Sequence, residues 1–262
     1  MGATRPANGR RYALVPDVSN PARRRAQLYR LSRLGLRLGE QLEKIHLVAV
    51  NEADRTREAG VCSYDDRMTR IAVALFDGAE ELDFAGPWEV LAAWATQWPD
   101  DGIEVFTVAS TTEPLTCAKG LRVLADHTWE TAPPIDVLVY PGGRGTRREL
   151  ADETVLERLR GLREGGTLMT SVCTGSLVYA AAGLLRDRPA TTYWGSLERL
   201  AETDPTIEVR PDDRFVDSGE IVTAAGVSAG IDMALHLVSR LHSVERAKEV
   251  RRYIQYDPEP PV

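Results

Sequence analysis

The stretch Gly166-Thr167-Leu168-Met169-Thr170-Ser171-Val172-Cys173-Thr174-Gly175-Ser176-Leu177 decides the fold, because a hydrophobic strand ends in it and an amphipathic helix begins. Cys173 stands at the junction, which is typical of a nucleophile elbow, a sharp strand-to-helix turn that projects one side chain above a sheet. Unpaired N–H groups and positive potential at the start of the helix favour a thiolate. We therefore predict that Cys173 is a nucleophile with a lowered pKa. The alternative is a buried, inert cysteine.

The alternation of strands and helices continues on both sides of this stretch. Strands are predicted at 70–76, 103–109, 135–140, 166–172 and 220–224, with a shorter pair around 121–124 and 206–217. Helices are predicted at 86–98, 150–163, 174–184, 195–203, 227–242 and 244–254. This pattern predicts a doubly wound α/β fold, with a mainly parallel sheet and helices on both faces. In such folds ligands bind beyond the carboxyl ends of the strands, and Cys173 lies at such an end.

The composition restricts the class of protein. With 262 residues and 43% hydrophobic content, the chain can bury a core without disulfides or metals. Its three cysteines, Cys62, Cys117 and Cys173, show neither a disulfide framework nor metal-ligand spacing, so we predict a reducing, cytoplasmic location and no metal or cofactor. No apolar run has the length of a membrane span, and the N-terminus lacks a secretory apolar core.

Residues 1–67 differ from the rest in charge. They carry 13 Lys and Arg against 8 Asp and Glu, whereas residues 68–262 carry 19 against 31, a net charge of −12. Leucines at helical spacing among arginines predict a basic amphipathic helix, weakened by Gly35 and Gly39, that could lie on an anionic membrane or pack on another protomer. We predict a basic N-terminal extension over 1–67, disordered or preceding a natural start at Met68, and one α/β domain over 68–262. The charge of −12 argues against nucleic-acid binding by that domain.

A second segment expected near Cys173 is Glu81-Leu82-Asp83-Phe84-Ala85-Gly86-Pro87, placed between the first strand and the first helix. Asp83 stands between two apolar side chains, so desolvation should raise the pKa of its carboxyl. A carboxyl that titrates near neutral pH can hold and deliver a proton, which makes Asp83 the candidate general acid and base. The alternative role of Asp83 is that of a helix N-cap or turn residue.

A third segment, Tyr140-Pro141-Gly142-Gly143-Arg144-Gly145, follows a predicted strand. Its glycines would let backbone N–H groups approach a ligand, so Gly142 and Gly143 are predicted to form half of an oxyanion hole. The N–H of Thr174, next to the nucleophile, is predicted to form the other half. The alternative for this segment is an ordinary turn.

Two further features complete the predicted site. Ser228, in Gly226-Val227-Ser228-Ala229-Gly230, is predicted to cap the following helix, with a structural role. None of the four histidines is expected near Cys173, which disfavours amide hydrolysis by a Cys-His arrangement. Tyr193 and Trp194, after the predicted strand 190–192, are instead expected to line a substrate pocket.

Together these segments resemble the ThiJ/PfpI superfamily, which has the class I glutamine amidotransferase-like, flavodoxin-like fold, and within it the isonitrile hydratase-like branch. The resemblance covers the part of the chain from 68 to 262. It rests on Leu82-Asp83-Phe84-Ala85-Gly86-Pro87, Pro141-Gly142-Gly143, Ser171-Val172-Cys173-Thr174-Gly175-Ser176, Ala190-Thr191-Thr192-Tyr193-Trp194, Ser228-Ala229-Gly230-Ile231-Asp232 and Gln255-Tyr256-Asp257-Pro258-Glu259-Pro260-Pro261. The Asp-x-x-Gly-Pro and SVCTGS motifs together are specific to this group. Tyr193-Trp194 stands where relatives often carry His-Trp.

The resemblance implies hydration of an isonitrile to an N-substituted formamide, without a metal or organic cofactor. It implies that Cys173 is the nucleophile, that Asp83 is the acid and base, and that Thr174 positions the thiolate or water. Superfamily members usually dimerise with the pocket near the subunit contact, so an isologous homodimer acting on a small molecule is expected.

The sequence leaves two other classes of function open. The same domain occurs fused to AraC-type DNA-binding helices as a ligand sensor, but too few residues follow residue 242 to supply a pair of helix-turn-helix units. Other branches use the elbow cysteine for redox sensing or for glyoxalase- and deglycase-type reactions on carbonyl adducts, and those branches more often place glutamate where Asp83 stands.

Overall fold

The computed structural model describes residues 68–258, so the predicted extension 1–67 and the helix predicted within it lie outside the described residues. The strands are β1 (Thr69–Ala74), β2 (Ile103–Ala109), β3 (Leu115–Thr116), β4 (Arg122–Val123), β5 (His127–Thr128), β6 (Val137–Tyr140), β7 (Leu168–Val172), β8 (Pro189–Ala190), β9 (Glu208–Val209), β10 (Phe215–Asp217) and β11 (Ile221–Ala224). The helices are α1 (Glu81–Gln97), α2 (Thr146–Glu149), α3 (Glu153–Glu164), α4 (Gly175–Ala181), α5 (Leu197–Thr203), α6 (Ala229–Leu241) and α7 (Val244–Tyr253), with 3₁₀ turns at Pro99–Asp101 and Trp194–Ser196.

Seven strands form the central sheet, in the order β10-β11-β7-β6-β1-β2-β5. All neighbours are parallel except β10 and β11, which confirms the mainly parallel sheet. The small pairs β3–β4 and β8–β9 lie outside it. Helices α1, α6 and α7 pack together as one group, and α2, α3, α4 and α5 lie in a second, giving a layer on each face.

The centre of the sheet is apolar on both faces, as strands covered by helices on both sides require. Four consecutive residues of β1, from Ile71 to Ala74, are buried, and so are all four of β6. Trp94 of α1 and Leu177 of α4 are buried against this sheet as part of the same core. No helix in the range 68–258 is long and apolar enough to cross a membrane.

The first helix begins earlier than the sequence predicts. The predicted start is residue 86, where Pro87 would fit the first turn of the helix. In the structure α1 begins at Glu81, and Pro87 lies inside it. Asp83 is therefore in the first turn of the helix and not in the preceding loop, and its side chain caps nothing, so the alternative N-cap role is wrong.

Candidate active site

Cys173 lies directly after β7 and two residues before α4, in a left-handed backbone conformation with φ of 56°. Such a conformation is strained for a residue other than glycine, and it persists only where the surroundings impose it. Here the Cys173 N–H donates to the carbonyls of Ala224 and Ala225 at 3.1 and 3.0 Å, at the end of neighbouring β11. The Thr192 hydroxyl donates to the Cys173 carbonyl at 2.9 Å. The strand-to-helix turn predicted from the sequence is thus present and fixed by both neighbouring segments.

Asp83 is brought to Cys173 by the first turn of α1. Its side chain is 0% exposed, and its Oδ2 accepts a hydrogen bond from the Gly142 N–H at 2.9 Å. The thiol of Cys173 lies beside the same carboxyl group, and each group shifts the pKa of the other. Oδ1 is buried without a nitrogen or oxygen partner among the described residues. The carboxyl is therefore desolvated and has one oxygen that no donor in the described part of the chain satisfies.

Burial raises the pKa of the Asp83 carboxyl from 3.8 to about 7, although the bonds from Gly142 and Cys173 act in the opposite direction. This confirms the predicted direction. Burial also raises the pKa of the Cys173 thiol, from 9.0 to about 12, and the negative charge of Asp83 adds to the effect. The prediction of a lowered thiol pKa is therefore wrong. The thiol is only 6% exposed, so the loss of solvent and the nearby carboxylate outweigh the N–H groups at the start of α4.

Two backbone N–H groups donate to the Cys173 sulfur and counteract this rise. One belongs to Thr174, as the sequence predicts, and the other to Val227, in the loop after β11. Val227 also has a left-handed conformation, with φ of 47°, which is unusual for a β-branched residue. Sequence reasoning missed this donor because it assigned residues 226–230 a structural role. No local motif marks an N–H that a distant loop turns toward the sulfur.

Gly142 and Gly143 hold the site together but are not free donors. The Gly142 N–H is bonded to Asp83, and the Gly143 N–H donates to Thr174 Oγ1 at 2.9 Å. The prediction that they offer half of an oxyanion hole is thus wrong, because protein groups already occupy both donors. A Cβ at Gly142 would lie 2.5 Å from Thr174 N, and Gly143 has φ of 117°. Glycine is required here because the backbones of this loop, of α1 and of the elbow approach too closely to leave room for a side chain.

Thr174 and Thr146 form a small hydroxyl network beside the elbow. Thr146 Oγ1 donates to the Gly143 carbonyl at 2.8 Å and lies 3.2 Å from Thr174 Oγ1. Thr174 Oγ1 therefore orients the loop after β6, while its own N–H points to the sulfur. Ser228 does occupy the N-cap position of α6, but its hydroxyl makes no capping bond and accepts from Arg214 instead.

A cavity of about 630 Å³ opens beside Cys173. Its lining comprises Glu80, Lys119, Gly143, Arg144, Thr146, Arg147, Cys173, Thr174, Leu177, Tyr193, Ser196, Arg199 and Val227. Tyr193 is part of this lining, as predicted. Trp194 is not, since it is 75% exposed and contacts the Tyr193 ring from outside the cavity, so its prediction as a pocket residue is wrong. The chain turns into a 3₁₀ helix at Trp194, which directs the two side chains differently.

The described histidines take no part in this cavity. His236 pairs with Asp217 and His242 lies against Asp101, while His127 is in the edge strand β5. Within the described part of the chain, no group of three or more His, Cys, Asp or Glu could hold a metal ion. The chemistry available at the cavity is therefore that of a thiol, a neighbouring carboxyl group with a raised pKa, and two N–H groups near the sulfur.

Comparison with known proteins identifies the family of this chain and several relatives. The sequence profile of the DJ-1/PfpI family matches residues 69–240. The isonitrile hydratase of Pseudomonas putida is 38% identical over 193 residues, which make up 73% of this chain and 80% of the relative. The HTH-type transcriptional regulator GbdR of Pseudomonas aeruginosa is 30% identical over 138 residues, covering 53% of this chain and 37% of the regulator. A ThiJ/PfpI family protein from Pseudomonas syringae, known from its crystal structure, is 31% identical with a TM-score of 0.66, and the match covers 74% of this chain and 78% of that chain.

Proposed function

The chain belongs to the DJ-1/PfpI family, and from this premise we propose that it is a cysteine-dependent hydratase that converts an isonitrile to an N-substituted formamide. The observation that carries the proposal is the buried pair of Cys173 and Asp83, in which the thiol lies beside a carboxyl group whose pKa burial raises to about 7. The similarity to an isonitrile hydratase over most of both chains supports the same reaction. The predicted cytoplasmic location and isologous homodimer form part of this proposal.

In the first step Cys173 adds to the terminal carbon of the isonitrile. Asp83 takes the thiol proton as the carbon–sulfur bond forms and delivers it to the same carbon, giving a thioimidate, R–N=CH–S–Cys. A buried thiol of high pKa is suited to this route, because the proton moves within the pair and no free thiolate has to persist at rest. Transfer of the proton to Asp83 also removes the negative charge that raises the thiol pKa.

In the second step water adds to the carbon–nitrogen double bond. Asp83, again ionised, accepts a proton from the water and passes it to nitrogen, giving R–NH–CH(OH)–S–Cys. Collapse of this adduct breaks the carbon–sulfur bond, releases the formamide R–NH–CHO and returns the hydroxyl proton to sulfur. The sum is one isonitrile and one water for one formamide, with the thiol regenerated.

The N–H groups of Thr174 and Val227 stabilise negative charge on sulfur at both stages. They donate to the sulfur in the resting protein, so they need no rearrangement when it attacks or leaves. Thr174 Oγ1 holds the loop after β6 through Gly143, which keeps Gly142 and its bond to Asp83 in place. We propose this positioning role for Thr174 in place of a free oxyanion hole at Gly142 and Gly143.

The test is formation of N-alkylformamide from an alkyl isonitrile by the full chain. We expect Cys173→Ala to abolish it and Asp83→Asn to reduce it by about 10²–10⁴-fold, the usual contribution of a general acid or base. Cys117→Ala is the matched control, since Cys117 is also buried and unpaired but lies outside the cavity lining. Formamide production that survives Cys173→Ala would overturn the proposal.

A second candidate is a ligand-sensing protein that uses the same cavity without turnover. The similarity to a transcriptional regulator favours it, and that match is confined to a minor part of the regulator. Stable modification of Cys173 by isonitrile without formamide would support this candidate. Turnover of methylglyoxal would support the glyoxalase-type reaction, and accumulation of sulfinic acid at Cys173 without turnover would support redox sensing.

A further inference from the structure

The arginines around the Cys173 cavity differ from most others in the described chain. Most arginines of residues 68–258 form ion pairs, such as Arg214 with Asp232 and Arg240 with Asp217. Five arginine side chains form neither an ion pair nor a hydrogen bond among the described residues: Arg122, Arg144, Arg147, Arg199 and Arg252. Arg144, Arg147 and Arg199 all line this cavity. Uncompensated positive charge is therefore concentrated in the lining of the candidate active site.

This concentration runs against the charge of the domain, which is −12 over residues 68–262. Among the described residues that line the cavity, Glu80 is the only acidic one, and it is already paired with Lys119. Asp83 is not part of the cavity lining, and burial raises the pKa of its carboxyl to about 7. No carboxylate of the described chain thus neutralises the three guanidinium groups. A positive site in an acidic protein attracts anions that the rest of the surface repels.

The three arginines come from two separate segments. Arg144 and Arg147 belong to the loop after β6 and to α2, whereas Arg199 is in α5, after the Tyr193 turn. Each guanidinium presents a planar fork of N–H donors that matches an oxyanion bidentately. The cavity, at about 630 Å³, has the size of a small-molecule site. Cys173 and the three arginines belong to one lining, so a single small molecule in this cavity has both a thiol and guanidinium groups around it.

We propose that the substrate carries an oxyanion, a carboxylate or phosphonate, at the end remote from the reacting carbon, and that Arg144, Arg147 and Arg199 bind it. The identity of the reacting end rests on the proposed hydratase function. The anion site does not, because it depends only on the charges that line the cavity. For a carboxylate substrate the product would be an N-formyl amino acid.

The test compares three ligands of one skeleton by titration calorimetry on the full chain. They are N-formylglycine, its neutral amide and N-formylaminomethylphosphonate. We expect the better anion to bind at least about tenfold more tightly than the amide, as charged hydrogen bonds do, and the preference to shrink in about 0.5 M NaCl. The triple variant Arg144→Gln, Arg147→Gln, Arg199→Gln should bind all three alike. Arg252→Gln, which removes an unpaired arginine outside this cavity, should keep the preference.

Equal binding of anion and amide by the wild type, or no binding of any of the three, would overturn the proposal. So would a preference that survives the triple substitution. If that variant instead changes the subunit number, measured by sedimentation, the arginines serve a contact between copies and the proposal is wrong. Formamide production from the matching isonitriles is measured separately, so anion binding without turnover would refute the hydratase and leave the anion site standing.

Discussion

Asp83→Asn should change the pH dependence of stability as well as activity. The carboxyl has a pKa of 3.8 when exposed and about 7 in the folded protein, so the folded state binds its proton more tightly. Stability from this group is present below the unfolded pKa and is lost as pH rises toward the folded pKa. The loss of unfolding free energy approaches about 1.4 kcal/mol for each of the roughly three pKa units by which folding shifts this carboxyl. Between pH 4 and 8 the wild type should lose about 4 kcal/mol relative to Asp83→Asn.

The measurement is urea unfolding of both proteins at intervals from pH 4 to 8, with free energies extrapolated to water. Comparing the two proteins cancels the titration of all other groups and the pH-independent cost of placing an amide beside Gly142. The Cys173 thiol does not interfere, because its pKa is 9.0 when exposed and about 12 when folded. A difference in unfolding free energy that stays constant from pH 4 to 8 would refute the desolvation of Asp83.

Three further predictions concern the same site. First, kcat/KM for formamide formation should rise with pH through an apparent pKa of about 7 and then level off, because Asp83 must be ionised to accept the thiol proton; a profile flat from about pH 5 to 9 would contradict this. Second, Thr174→Val should lower the free energy of unfolding, measured in urea, by about 1–3 kcal/mol, because it leaves the Gly143 N–H without an acceptor. The control Thr174→Ser keeps the hydroxyl and should have a stability close to that of the wild type. Third, Gly175→Ala should lower the free energy of unfolding by more than about 2 kcal/mol, since its Cβ would lie 2.5 Å from the Tyr140 carbonyl oxygen. The control Gly161→Ala, in the open middle of α3, should raise the free energy of unfolding by about 0.5–1 kcal/mol. Similar shifts in melting temperature for both variants would contradict the close approach at the elbow.

Local patterns were sufficient to predict the fold and the position of Cys173. Runs of apolar residues located the long strands of the central sheet, because those strands are buried on both faces and have a strong signal. The two-residue strands β3, β5 and β8 were not predicted, since so short a pairing leaves no periodicity in the sequence. The start of α1 was misplaced because Pro87 is tolerated inside this helix.

The electrostatics of the site were harder to predict, because they depend on how distant segments pack. The raised pKa of Asp83 followed from its apolar neighbours along the chain, and the direction was correct. The thiol pKa was predicted in the wrong direction, since the start of α4 is visible in the sequence and the burial of the sulfur against Asp83 is not. The contribution of Val227 likewise depends on a loop 54 residues beyond Cys173 in the chain.

The two donors to the Cys173 sulfur follow the ends of neighbouring strands, β7 and β11. Separation of these strands would release the sulfur from the Val227 N–H and would expose Cys173, which is only 6% exposed in the folded protein. The accessibility of Cys173 therefore indicates local unfolding in the middle of the sheet. A neutral alkylating reagent should label Cys173 slowly through the cavity of the folded protein and faster when the strands separate, so mild denaturant should accelerate labelling well before the helices melt.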